Sequence, residues 1–222
     1  MSTACPTPVP PPVAGKSSGR PKASEVEART HELVQVAACL FIKQGYTKVS
    51  LEMIAREARV AVRTIYVKFG GKAGLLKAAI ALRRERFFPD GSLEADTRPL
   101  REVLDGFARA FDTMLSSPDS ISMMRVVMAE SGSNPELAEA FYEAGPRLTR
   151  AMLARYFERP DIRAQLKDDL ALDQLPGHLI ATIHGDPVSR YLFPESQPGG
   201  EEARRLLAAR MELFYRAILK QA

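Results

Sequence analysis

The sequence predicts an all-α fold, in which a small N-terminal domain of three helices precedes a larger C-terminal helical bundle. Apolar residues recur at intervals of three and four along most of the 222 residues, which is the spacing of amphipathic helices. The chain shows neither the alternation of half-buried strands nor an internal repeat. Prolines and clusters of Gly, Ser and Asn separate the helical stretches. These breaks predict a disordered, Pro-rich basic tail at 1–22, a small domain at 23–71 and a larger domain at 72–222.

The small domain contains one long predicted helix followed by two short ones. The long helix covers residues 24–44 and ends at Gly45. The second helix begins after Ser50, whose hydroxyl is suited to accept hydrogen bonds from the free amides of the next turn. Its apolar pattern breaks at Arg59 and restarts at Val62. Two short helices joined by a tight turn are typical of a helix-turn-helix. The apolar faces are formed by Leu33, Val36, Ala37, Leu40 and Phe41, then Leu51, Ile54, Ala55 and Ala58, and finally Val62, Ile65 and Phe69.

The third helix carries the residues that suit DNA. With Ile65 and Phe69 directed inward, its other faces present hydroxyls, cations and a methyl-bearing side chain, which phosphates and major-groove base edges accept. Gly70-Gly71 ends this helix, and Lys72 opens the next one, where it is placed to hold a backbone phosphate. The candidate DNA-binding residues are Ser50, Val62, Arg63, Thr64, Tyr66, Lys68 and Lys72, with Arg20 and Lys22 in the tail.

Residues 30–80 resemble the signature of the tetracycline-repressor (TetR/AcrR-type) family. The resemblance rests on helix-turn-helix spacing, a Tyr-x-x-Phe end of the third helix and a following Lys-x-x-Leu-Leu. Three positions depart from it: Arg59 stands where the family usually has Gly, Ala61 where it has a capping Ser, and Arg63 where Gly is common. A non-Gly residue at positive φ costs about 1 kcal/mol or more, so we expect the turn at Arg59 to be either strained or differently shaped. The matching residues are Ile54-Ala55, Val60, Thr64-Ile65-Tyr66, Phe69, Lys72 and Leu75-Leu76.

Charge is unevenly distributed along the chain. Residues 1–88 carry a net charge of +9 and residues 89–222 one of −5, within a total of +4. A basic half favours nucleic acid, because it neutralises phosphates. Solvated surface explains the charge equally well until the motif is considered. Arg20 and Lys22 flank a proline just before the first helix, so they form either a minor-groove arm or a solubilising linker.

The larger domain concentrates Met and aromatic side chains on consecutive predicted helices. Flexible Met beside aromatic rings is suited to an adaptable apolar pocket, for which Arg125, Glu130 or Arg155 would supply polar contacts. An ordinary core explains each residue equally well, and the pocket is favoured only through the resemblance, in which this domain binds an effector. Gly145-Pro146 marks either a kink or a join between two helices. The candidate ligand-binding residues are Phe107, Phe111, Met124, Arg125, Met128 and Tyr142.

The last two long helices carry broad apolar stripes that predict an interface. The resemblance implies that these helices pair with their copies as a four-helix bundle, giving a homodimer. Burial within one subunit is the alternative. The stripes consist of Leu175, Leu179, Ile180 and Ile183 on one helix and Ala203, Leu207, Met211, Phe214 and Ile218 on the other.

Other classes of protein lack support. We find no P-loop, catalytic triad or paired-carboxylate motif, so we assign no catalytic residue and expect no enzyme. Two cysteines and three scattered histidines lack metal-site spacing, and we expect neither metal nor cofactor. No apolar run approaches the roughly 18 residues that span a bilayer, and prolines occupy residues 1–15 where a signal peptide would be apolar. We therefore expect a cytoplasmic protein with no membrane partner.

Together these features predict a DNA-binding transcriptional regulator. The expected form is a homodimeric repressor that binds a palindromic, double-stranded DNA operator and is released by a small apolar or amphipathic effector. A helical DNA-binding protein without an effector, or an activator, is the alternative reading.

Overall fold

A computed structural model of the protein describes residues 23–88 and 93–220, and within these ranges it contains helices and no strands. The all-α prediction is therefore confirmed. Four helices come first: α1 Ala23–Gln44, α2 Leu51–Glu57, α3 Val62–Phe69 and α4 Lys72–Phe87. The following helices are α5 Leu100–Ser116, α6 Pro118–Glu130, α7 Pro135–Tyr142, α8 Leu148–Glu158, α9 Pro160–Arg163, α10 Leu175–His184, α11 Pro187–Leu192 and α12 Gly200–Ile218.

The described chain divides into two compact units. The first unit contains the residues up to Ala81 together with Val126–Phe141, and the second contains Leu82–Arg125 together with the residues from Tyr142 onward. The end of α6 and most of α7 thus pack with the N-terminal helices, although they lie far along the chain. The predicted domain 72–222 included these residues. Turn signals in the sequence reflect only the local direction of the chain, so they could not show this distant packing.

The core of the first unit is built from the faces that periodicity predicted. Ile54 and Ile65 are fully buried, and so are Leu75 and Leu76 of α4. On α1 the buried residues are Leu33, Val34, Ala37 and Phe41, whereas Val36 and Leu40 are only partly buried. Tyr46 and Val49 of the α1–α2 loop close this core.

The turn between α2 and α3 is strained, which is one of the two outcomes expected from its sequence. Arg59 has φ 54°, the one positive φ of a non-glycine residue in the described chain. That conformation costs about 1 kcal/mol relative to glycine. Ser50 caps α2 as predicted, its Oγ accepting a hydrogen bond from the Met53 amide at 3.2 Å. Ala61 precedes α3 without a side-chain capping bond, so α3 relies on packing of Ile65 for its position.

The second unit packs α5, α8, α10 and α12 around one apolar core. The inward face of α5 runs from Leu100 to Leu115, and α8 contributes the fully buried Tyr156 and Phe157. Leu179 of α10 is fully buried in the same core, and Phe214 of α12 is buried there as well. Most of the predicted interface stripe is therefore interior to the subunit. Only Leu206 and Leu213 remain exposed among the large apolar residues of α12, at 38% and 67%.

The Gly145-Pro146 step lies in a π-helical turn that joins two consecutive helices. A π-helical turn at Glu143–Arg147 connects α7 directly to α8, and the flanking Tyr142 and Leu148 keep right-handed helical dihedrals. A wider turn accommodates proline, which has no amide proton to give to the preceding turn. Thr149 Oγ1 donates to the Gly145 carbonyl at 3.1 Å and occupies one of the acceptors of that turn.

Candidate nucleic-acid interface

The outward face of α3 presents side chains that can read DNA. Tyr66 and Val67 are 57% and 77% exposed on a helix whose opposite residue, Ile65, is fully buried. Arg63 and Thr64 are exposed as well. A guanidinium, a hydroxyl, a phenol and an apolar surface thus lie together on one short helix. Such a set suits base edges and phosphates in a major groove.

Three of the other predicted DNA-binding side chains have structural contacts. The Ser50 hydroxyl is engaged in capping α2, and Lys68 Nζ donates to Thr30 Oγ1 of α1. Val62 is partly buried at the start of α3. Arg63, Thr64 and Tyr66 remain the strongest candidates for base contact. Arg20 and Lys22 lie outside the described residues.

Lys72 stabilises the α1–α2 loop from the side of α4. Its Nζ donates to the carbonyls of Tyr46 and Val49, at 2.9 and 3.1 Å, and lies 4.3 Å from the centre of the Tyr46 ring. Partial burial lowers the pKa of Lys72, while the nearby Glu136 and Glu130 oppose that shift. The ammonium therefore has two acceptors within the protein, and a phosphate contact would add a third.

Glu130, at the end of α6, holds the same loop through its amides. Its Oε1 accepts from the Tyr46 amide at 3.1 Å, and its Oε2 accepts from the Thr47 amide and hydroxyl at 2.7 and 2.6 Å. Burial raises the pKa of Glu130, but these hydrogen bonds and the charge of Lys72 outweigh it and the net pKa is lowered. Sequence reasoning had placed Glu130 beside a ligand pocket. Nothing in the local sequence marks a contact between residues more than 80 positions apart.

The predicted ligand-binding residues are divided between the two units. Phe107 and Phe111 are buried, and their rings stack 5.4 Å apart. Met128 belongs to the first unit and is 58% exposed, while Tyr142 of the second unit is 50% exposed. Met124 is partly buried. Arg125 donates to the carbonyls of Tyr191 and Leu192, so its charge secures α11.

Within the second unit, two of the surface cavities are lined by other residues. One, of about 550 Å³, lies between α5 and α12 and is edged by charged side chains such as Arg101, Asp105 and Arg205. The other, of about 590 Å³, lies between α10 and α12. It is mainly apolar, and Leu213 is among the residues that line it.

A buried polar network anchors α11 to α5. Arg190 has a side chain only 8% exposed and pairs with Asp112 at 2.8 Å, while donating also to Ser116 Oγ and the His184 carbonyl. His184 Nε2 lies 2.6 Å from the Tyr191 hydroxyl. Burial and the nearby Arg190 lower the pKa of His184. Sequence reasoning missed this network, because its members come from helices that are adjacent only in the folded chain.

No helix in the described ranges is both long and apolar enough to cross a membrane. Within residues 23–88 and 93–220 there is also no group of three or more His, Cys, Asp or Glu side chains arranged to hold a metal ion.

Two family models match the chain, one for each part of it. The model for bacterial regulatory proteins of the TetR family covers residues 33–79, which contain the whole helix-turn-helix. The model described as the C-terminal domain of AefR-like transcriptional repressors covers residues 102–217, more than half of the chain. The chain belongs to the TetR family. It is accordingly a DNA-binding transcriptional regulator, and not an enzyme.

Proteins similar to this TetR-family chain are themselves described as transcriptional regulators. An uncharacterized HTH-type transcriptional regulator of Mycobacterium tuberculosis is 27% identical over 159 residues, which cover 68% of this chain and 74% of the relative. A TetR-family regulator from Mesorhizobium loti superposes with a TM-score of 0.70 at 21% identity, over 87% of this chain and 98% of its own. The flavonoid-responsive regulator FrrA superposes with a TM-score of 0.69 at 25% identity. The superposition covers 88% of this chain and 100% of FrrA.

Proposed function

We propose that this TetR-family regulator is a homodimeric repressor that binds a palindromic operator and is released by a small apolar or amphipathic effector. The observation that carries the proposal is the exposed face of α3, with Arg63, Thr64 and Tyr66 presented over the buried Ile65. Repression is supported by the match of residues 102–217 to the AefR-like repressor domain. The cytoplasm, where operators are accessible, is the expected place of action.

The proposed reading mode places α3 in the major groove. A helix of this size fits that groove, and an arginine can donate two hydrogen bonds to O6 and N7 of guanine. Two copies related by two-fold symmetry would contact half-sites about 34 to 36 Å apart, one turn of the duplex. Such symmetry makes the operator a palindrome. Arg63 is the side chain on which base preference is expected to depend most.

Replacing Arg63 by alanine is expected to relax base preference at one position of each half-site. The loss on the best site should be about 1 to 3 kcal/mol per half-site, the value of a bidentate base contact. Duplexes selected from a random pool by the wild-type protein, then measured with both proteins, provide the test. Lys43→Ala is the matched control, because Lys43 is an exposed cation in the last turn of α1. Unchanged preference in the Arg63 variant would contradict the assignment of α3.

Effector release is the second component of the proposal. FrrA is named as flavonoid-responsive, and its fold matches this chain over its full length. In the second unit, Phe88 joins Phe107 and Phe111 in a cluster of three rings with centroid distances of 5.4 to 6.3 Å. Planar apolar compounds are therefore the first class to screen. The roles of Met124, Arg125, Met128 and Tyr142 stay a prediction.

An effector that releases the operator must bind more weakly when operator is present. Thermodynamic reciprocity makes the two changes in affinity equal, and couplings of this type are about 5- to 150-fold. Calorimetric titration of a compound found by screening, with and without operator, measures both. Equal affinities in the two titrations would contradict release by this effector. They would favour a DNA-binding regulator without an effector, or an activator with another trigger.

A further inference from the structure

The loop between α1 and α2 is held from two sides within the first unit. From one side, the Glu130 carboxylate accepts three hydrogen bonds, two from the amides of Tyr46 and Thr47 and one from the Thr47 hydroxyl. From the other, Lys72 donates to the carbonyls of Tyr46 and Val49. An anion binds the amides and a cation binds the carbonyls. We call this arrangement, formed by Glu130, Lys72 and residues 46–49, the loop clamp.

Gly45 makes close approach of the carboxylate possible. Its φ is +85°, which side-chain-bearing residues rarely adopt, and a Cβ built on it would lie 2.4 Å from Glu130 Oε1. The positive φ favours glycine at this position, and a Cβ there would displace the Glu130 carboxylate from the loop amides. Hydrogen bonds to a charged acceptor are also stronger than those between neutral groups. The loop conformation thus depends on a residue that lies outside the helix-turn-helix sequence.

The loop clamp determines where the reading motif begins. Val49 is buried, and the next residue, Ser50, caps α2. Helix α2 packs on α3, so the direction of α2 sets the orientation of the exposed Arg63. We infer that Glu130 is a positioning residue for DNA binding, which fixes the α1–α2 loop and through it the reading helix. This inference rests on the proposed reading of DNA by α3.

Simple electrostatics predicts the opposite effect of removing Glu130. A carboxylate in a DNA-binding unit repels phosphates, so its neutralisation alone should strengthen binding. A positioning role predicts weaker binding, because the competent arrangement of the loop becomes a smaller fraction of the molecules. The sign of the change therefore separates the two explanations.

The test compares Glu130→Gln with Glu139→Gln on a duplex selected by the wild-type protein. Glu139 is exposed on α7, so its replacement removes the same charge without touching the loop. We expect Glu130→Gln to bind about tenfold more weakly, since glutamine offers one acceptor oxygen where three donors need two. Its salt slope should equal that of the wild type, because no phosphate contact is lost. Glu139→Gln should bind as tightly as the wild type or more tightly.

Hydrogen exchange provides a readout that does not involve DNA. The amides of Tyr46 and Thr47 should exchange faster in Glu130→Gln and remain protected in Glu139→Gln. Thr47→Val removes only the hydroxyl donor, so it should give a smaller loss of affinity. This variant replaces Glu130→Gln in the test if Glu130→Gln does not fold. Equal affinities of the two glutamine variants, or unchanged exchange at both amides, would overturn the positioning role alone. A wild-type protein that selects no duplex would overturn the proposed function and the positioning role together.

Discussion

Replacing Leu213 by glutamate is expected to separate the proposed dimer and to weaken operator binding by about 10²- to 10⁴-fold. Leu213 is 67% exposed on α12 and lines the mainly apolar cavity between α10 and α12. A charge in a surface of this kind removes the apolar contact on which association depends. Separate subunits would then bind the two half-sites independently. The increase in operator affinity that comes from linking two binding sites would be lost. Sedimentation and operator titration measure the two effects.

Ala208→Glu is the matched control for the dimer experiment. Ala208 is exposed on the same helix but lines the charged cavity between α12 and α5, away from Leu213. It should leave assembly unchanged. Charges at Leu207 or Phe214 would be uninformative, because both residues are buried in the core and the subunit would unfold. A Leu213→Glu protein that remains dimeric with full operator affinity would show that another surface forms the dimer.

Replacing Asp112 by alanine is expected to destabilise the second unit by about 3 to 5 kcal/mol. The substitution would leave the Arg190 guanidinium, only 8% exposed, without its carboxylate. An uncompensated buried charge of this kind costs that much, although the intact pair itself contributes little net stability. Urea unfolding, followed by a probe in the second unit, measures the change in free energy of unfolding.

Asp119→Ala provides the comparison for the buried pair. Asp119 pairs with Arg83 at 3.5 Å, and their side chains are 44% and 27% exposed. A more solvent-accessible pair of this kind contributes about 0 to 1 kcal/mol, so this variant should unfold closer to the wild type than Asp112→Ala. Similar losses in the two aspartate variants would mean that water reaches Arg190 and that α11 is not anchored by this pair.

The inward and outward faces of α3 could be predicted from the sequence because they depend on local features. Ile65 lies inward, and Arg63, Thr64 and Tyr66 lie outward, as the 3.6-residue period requires. The Ser50 cap and the strained Arg59 also follow from neighbouring residues alone. These features depend on residues within one or two helical turns, where backbone geometry leaves few alternatives.

Whether each apolar residue is buried in the subunit or exposed could not be predicted in the same way. Periodicity shows that Leu207 and Phe214 lie on an apolar stripe of α12, but it does not show which neighbouring surface covers that stripe. In the folded subunit, Leu207 and Phe214 enter the core while Leu213 remains exposed. Periodicity also could not show that Phe107 is buried in the second unit while Met128 belongs to the first and is exposed.

The sequence was sufficient to predict the long helices, the turn between α2 and α3, and the outward face of α3 that we propose to contact DNA. Local hydrogen bonding, capping and side-chain periodicity specify all three. Two contacts are visible only in the folded chain. Glu130 accepts hydrogen bonds from the amides of residues 46 and 47, and Arg190 is buried in an ion pair with Asp112. Those contacts join residues 74 or more positions apart. Only packing of the complete core brings such groups within hydrogen-bonding distance, and no short segment of the chain encodes that distance.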